Sequence, residues 1–214
     1  DHRNEHSWTS LIQGFVSAEK PQEAFYMFQK MEEDFIVPSS HTLVALLKAS
    51  SKLMCVDLGQ VLHMMVATGN YESDIFIENA LIDMYAKCGF LSDAKDIFFK
   101  MNYVNVVTWT LMIAAYAENG HYEQAFGCLE LMVHNGVYPN SVTILSCLKV
   151  CCAEGSVALG RKLHVETILE GLEMDLRIDN ALVNMYAKSG CLPDACEVFE
   201  NLPVKDVISW TTLV

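Results

Sequence analysis

Apolar residues between positions 106 and 140 fall at helical spacing twice, with a break between the two runs. Trp109, Met112, Ile113 and Tyr116 follow the i, i+3, i+4, i+7 spacing of one helix face. Asn119-Gly120 interrupts the pattern, and Ala125, Phe126, Leu129 and Met132 mark a second face. Asn135-Gly136, with Pro139 just beyond, is a common way to end a helix. The segment predicts a helical hairpin of 35 residues. Period-two alternation never lasts between the breakers, so no strand competes.

The pattern is periodic. NALIDMYAKCG begins at Asn79 and NALVNMYAKSG begins at Asn180, 101 residues later. Trp8, Trp109 and Trp210 keep the same step, as do Thr9, Thr110 and Thr211. Lys48/Lys149, Gly59/Gly160, His63/His164 and Pro38/Pro139 keep it too. Each period divides into hairpins of 35, 35 and 31 residues. The predicted repeats are 5–39, 40–74, 75–105, 106–140, 141–175 and 176–206, with a partial copy at 207–214 and a tail of a preceding repeat at 1–4. One hairpin cannot bury its apolar face alone, whereas stacked neighbours can. The fold expected is therefore all-α: an α-solenoid of stacked helix-turn-helix repeats forming a single array with a right-handed superhelix. Packing accounts for Ala80, Leu81, Met84, Tyr85 and Ala86 in the repeated phrase. It leaves Asn79 and Asn180 unexplained.

Composition narrows the function. The 52% of hydrophobic residues support a large core, yet no apolar run of membrane-spanning length is free of charge. The opening DHRNEHSW lacks a signal-peptide layout, and both ends read as cut from a longer chain. A net charge of −13 argues against a non-specific nucleic-acid binder, though not against a local basic track. None of the eight cysteines recurs at the repeat step. They read as small reduced thiols, not as a disulfide or metal framework.

The alternation of 35, 35 and 31 residues, with VVTWTLMI, VYPN, NALIDMYAKCG and LGRKLH, resembles the PLS class of plant pentatricopeptide repeat proteins. The resemblance covers residues 5–214. Tetratricopeptide repeats keep a steady step of about 34 residues and a different consensus. The resemblance implies a non-enzymatic, cofactor-free array in a mitochondrion or chloroplast. It would bind single-stranded RNA, one base per repeat, to mark cytidines for C-to-U editing. Any deaminase domain would lie beyond Val214.

In this family the fifth and last residues of each repeat choose the base. Carried onto this chain, Thr9 with Ser39 is a weak match to adenine, and Thr110 with Asn140 is a good one. Asn79 with Asn105 implies a pyrimidine, cytosine favoured, and Asn180 with Asp206 implies uracil. The L-type repeats pair Val44 with Asp74 and Leu145 with Asp175, and an apolar fifth residue reads nothing well. The register implied is A-n-Y-A-n-U, with RNA running 5′ to 3′ along the chain. The second residue of each repeat packs on the base faces. Phe76, Val107, Val142 and Ile208 fit that role, whereas His6, His41 and Arg177 depart from it. The thirteenth residue often touches phosphate. Lys52, Lys87 and Lys188 fit, and Ser17, Glu118 and Ala153 do not.

Two other readings compete. The polar residues before apolar runs also suit helix caps. The acidic charge and the apolar Val44 and Leu145 suit a protein-binding helical scaffold. In this family the L-type repeats dock multiple organellar RNA editing factors. His164-Val165-Glu166 matches half of a zinc deaminase signature. The cysteine half is missing, so His164 reads as a packing residue.

Overall fold

The computed structural model of the chain describes residues 4–69, 71, 74–172 and 175–213, except the side chains of Ile208 and Leu213. Thirteen helices and no strand occur among them. They form two compact units, Asp1–Val104 and Asn105–Val214. The first unit holds α1 (Glu5–Ser17), α2 (Pro21–Glu33), α3 (Ser40–Leu53), α4 (Val56–Thr68), α5 (Ile75–Lys87) and α6 (Leu91–Lys100). The second holds α7 (Val106–Glu118), α8 (Tyr122–His134), α9 (Ser141–Glu154), α10 (Val157–Leu169), α11 (Leu176–Lys188), α12 (Leu192–Glu200) and α13 (Val207–Leu213).

Within each unit the odd-numbered helices stack side by side: α1 on α3 on α5, and α7 on α9 on α11 on α13. The even-numbered helices form a second layer, most of them lying against the odd helix before and the one after. Each unit is thus a two-layered stack of helical hairpins, the α-solenoid arrangement the period predicts. The core sits mainly in the odd layer. Leu43, Leu46, Ile77 and Ile82 are sealed in one unit, and Ile113, Ile144, Ile178 and Val183 in the other. The face read from spacing in α7 is buried at all four positions, Trp109, Met112, Ile113 and Tyr116.

Sequence differences between the periods show in the turns. Gly120, Gly136 and Gly155 take left-handed backbone, and 101 residues earlier the same conformation falls on Glu19, Phe35 and Met54. A side chain there costs about 1–2 kcal/mol.

The repeated glycine of the even helices has a packing reason. A Cβ on Gly59 would overlap the Met84 sulfur, and one on Gly160 would overlap that of Met185. Both methionines are completely buried. Gly160→Ala should therefore push Met185 out of place and cost roughly 1–3 kcal/mol, measured by denaturant unfolding. Gly127→Ala meets no neighbour and serves as the comparison. The repeated histidine packs nearby. His63 Nδ1 lies 3.0 Å from Tyr85 Oη, and His164 Nδ1 lies 3.1 Å from Tyr186 Oη. Burial pushes both imidazoles below their ordinary pKa.

Candidate nucleic-acid interface

The last residue of each predicted repeat is the N-cap of the next odd helix. Asn105 Oδ1 accepts from the Val107 and Thr108 backbone N–H groups, at 2.9 and 3.1 Å. Asn140 Oδ1 accepts from the Thr143 N–H at 3.0 Å, and both asparagines form capping boxes. Asp74 caps through the Phe76 N–H, Asp175 through the Arg177 N–H, and Asp206 through the Ser209 N–H. Ser39 caps more loosely, at 3.4 Å from the Thr42 nitrogen. The Arg177 guanidinium, bonded to Asp175, holds that carboxyl at a pKa of about 2. The capping alternative thus holds for the last residue. It does not hold for the fifth, which lies inside the helix.

The fifth residues lie within the odd helices. Thr9 and Thr110 are almost buried, at 7% and 9% exposure, while Val44 and Leu145 are half-buried. Thr110 Oγ1 lies 2.7 Å from the Val106 carbonyl oxygen and 2.6 Å from Thr143 Oγ1. Thr9 Oγ1 lies 2.9 Å from the Glu5 carboxylate and 2.7 Å from Thr42 Oγ1. Hydrogen bonds from Ser39 and then Thr9 hold the Glu5 carboxyl below its usual range. Asn79 and Asn180 differ: their Oδ1 atoms are buried with no hydrogen-bond partner among the described residues. An unpaired buried acceptor costs roughly 1–3 kcal/mol. Asn79 and Asn105 belong to different units.

The second residues are exposed. Phe76, Val107 and Val142 present apolar side chains to solvent, and His6, His41 and Arg177 are exposed too. The side chain of Ile208 lies outside the described residues. In the first unit, a groove of about 450 Å³ gathers His41, Val44, Asp74 and Phe76. These are the second, fifth and last residues of one predicted repeat and the second of the next. Gln13, Ser17 and Lys48 also line it.

The thirteenth-position lysines differ in their commitments. Lys52 Nζ donates to the Val16 carbonyl at 2.9 Å and to Glu19 at 2.6 Å. Lys87 pairs with Asp83 at 2.9 Å. Among the described residues no carboxylate pairs with Lys188. It shares a shallow cavity with Lys149, Cys152 and Asn184. Lys48 and Lys149 are thus two basic residues at the candidate interface that sequence reasoning missed. Each follows its L-type fifth residue by one helical turn. Their 101-residue pairing served only as evidence of the period.

His164 is a packing residue. The His164 ring is engaged with Tyr186, and no cluster of metal-ligating side chains occurs among the described residues. All eight cysteines are free thiols, and burial pushes Cys147 and Cys151 up to about 12. No helix among the described residues is long and apolar enough to cross a membrane.

Comparison with known proteins agrees with this architecture. A family model described as "PPR repeat family" matches residues 3–52 and 104–153, and one described as "PPR repeat" matches 79–106 and 180–207. A chloroplastic pentatricopeptide repeat-containing protein of Arabidopsis thaliana is 35% identical over 97% of this chain and 34% of its own length. A mitochondrial one from the same plant is 34% identical over 99% of this chain and 31% of its own. The chain therefore spans about a third of the length of these relatives. The fold is similar to that of the pentatricopeptide repeat protein PPR10, solved in complex with an 18-nt psaJ RNA element. The TM-score is 0.82 at 20% identity, covering 100% of this chain and 32% of that one. With tandem family matches in both units and relatives aligned along almost its whole length, the chain belongs to the pentatricopeptide repeat family.

Proposed function

We propose that this chain is a PLS-class array that binds single-stranded RNA, one base per repeat, as the recognition part of an organellar C-to-U editing factor. The observation that carries the reading is the groove holding His41, Val44, Asp74 and Phe76. The exposed Phe76, a second residue of the expected aromatic or apolar kind, lines it, which suits stacking on a base. Its fifth residue is apolar, which suits an L-type repeat that discriminates little. The RNA in the PPR10 complex supports an RNA ligand. The chloroplastic and mitochondrial relatives support an organelle.

Phosphate contact falls first to Lys149 and Lys188, which share one cavity. Lys52 and Lys87 must release Glu19 and Asp83 to take part. Replacing Lys149 and Lys188 by Ala should weaken binding to every RNA alike and flatten the salt slope by roughly two units. The functional test is a salt titration of binding to an A-n-Y-A-n-U oligomer and to a scrambled one. The matched oligomer should bind more tightly at every salt concentration. Equal binding would sink the reading.

One feature favours a second activity, protein docking. A cleft of about 390 Å³ between α8 and α10 is lined by Phe126, Leu129, Val133, Leu159 and Leu163. It borders the L-type repeat 141–175, where docking of multiple organellar RNA editing factors is expected.

A further inference from the structure

Two threonines outside the base-reading pairs touch both members of a pair. Thr143, the third residue of α9, lies 2.6 Å from Thr110 Oγ1 and 3.0 Å from Asn140 Oδ1. Thr42, its counterpart in α3, lies 2.7 Å from Thr9 Oγ1 and 3.1 Å from Ser39 Oγ. Both are completely buried. We propose that Thr42 and Thr143 are positioning residues that fix the hydrogen-bond polarity of the base-reading pair in the repeat before them. The inference rests on the base-reading role given above.

Two hydroxyl protons set the polarity of the pair. Asn140 must turn its oxygen inward, because the Thr143 backbone N–H donates to it. Thr110 and Thr143 each carry one hydroxyl proton. Their oxygens are 2.6 Å apart, so one proton must lie between them. If Thr110 donates there, Thr143 donates to Asn140 Oδ1. If Thr143 donates there, Thr110 donates to the Val106 carbonyl, 2.7 Å away. In both arrangements the Thr110 proton stays inside the protein. A ligand therefore meets Thr110 as an acceptor only, and the Asn140 amide nitrogen as a donor. Adenine offers the complement, a donating 6-amino group beside the accepting N1.

The first repeat closes a related ring. Thr9 donates to Glu5 and touches Thr42, and Ser39 is bonded to Thr42. Ser39 has no amide nitrogen to present, which accounts for a weak adenine match. The sixth repeat lacks the link. Ser209 donates to Asp206 at 2.9 Å, while Asn180 Oδ1 has no partner among the described residues.

Thr143→Val keeps the shape and the backbone N–H cap but removes the hydroxyl. Thr110 then keeps only the Val106 carbonyl as an internal acceptor and can turn its proton outward, so the acceptor that meets the adenine 6-amino group is no longer fixed and the preference over guanine weakens. The 214-residue chain is tested against A-n-Y-A-n-U oligomers with A or G at the fourth base. The A-over-G ratio should fall by roughly three- to tenfold in Thr143→Val, the size of one lost hydrogen bond. Thr143→Ser should restore it, and ratios at the other bases should not move. In a Thr110→Val background, Thr143→Val should add nothing. If Thr143→Val proves unstable, Thr143→Ser and the Thr110→Val background still decide. A Thr143→Ser chain with lost discrimination overturns the proposal. So does a folded Thr143→Val chain with the full wild-type ratio, leaving the base-reading role intact. If the unmodified chain shows no preference for A, the base-reading role itself fails and takes this inference with it.

Discussion

Trp109→Ala should unfold the second unit at far lower denaturant than the unmodified chain. Trp109 is 5% exposed within the odd layer, and deleting such a side chain costs roughly 3–5 kcal/mol. That is a large share of the 5–15 kcal/mol typical of a folded domain. In a stacked array each repeat depends on its neighbours, so the loss should spread to α9. The internal comparison is Trp210, one period later. It is 56% exposed and meets Phe199 edge-on, with ring centroids 4.9 Å apart. Trp210→Ala should cost far less, about 0.5–1.5 kcal/mol for the aromatic pair beyond the modest area it buries. Equal losses from the two substitutions, followed by far-UV circular dichroism, would contradict this account of the core.

Asn140→Asp should move the preference at the fourth base from A to G while leaving the fold intact. Asp and Asn cap helices about equally well, so the bond from the Thr143 N–H survives on one carboxylate oxygen. The outward atom changes from an amide donor to an oxygen that only accepts. In the proposed arrangement Thr110 meets the base as an acceptor. Two acceptors side by side suit guanine, whose N1–H and 2-amino group both donate. Adenine loses the donor to its N1. The expected change is about 1–2 kcal/mol in relative affinity, comparable to one mismatched base contact in a DNA site. If the variant still ranks A first, either Thr110 does not face the RNA or the register is shifted.

Much of this fold is legible in the sequence because each hairpin solves the same packing problem. The apolar spacing of α7, the turn at Asn119-Gly120 and the repeated Gly59 and Gly160 each correspond to a buried face, a turn or a close helix approach. The site was less legible. Spacing places Thr110 and Asn140 30 residues apart and says nothing of Thr143 between their side chains. A buried threonine at the third helical position reads simply as a capping-box residue, which Thr143 also is. The partners of Lys52 were hidden for a similar reason. Glu19 sits in a turn 33 residues away, and only the stacking of α1 on α3 brings it within 2.6 Å. Lys48 and Lys149 were visible as residues but not as part of a surface.

The most direct test is to bind the unmodified chain to four oligomers that differ only at the fourth base of A-n-Y-A-n-U. A should bind tightest, by about tenfold over G. Four equal affinities would contradict base reading by Thr110 and Asn140, and with it the central claim that these side chains form a recognition pair.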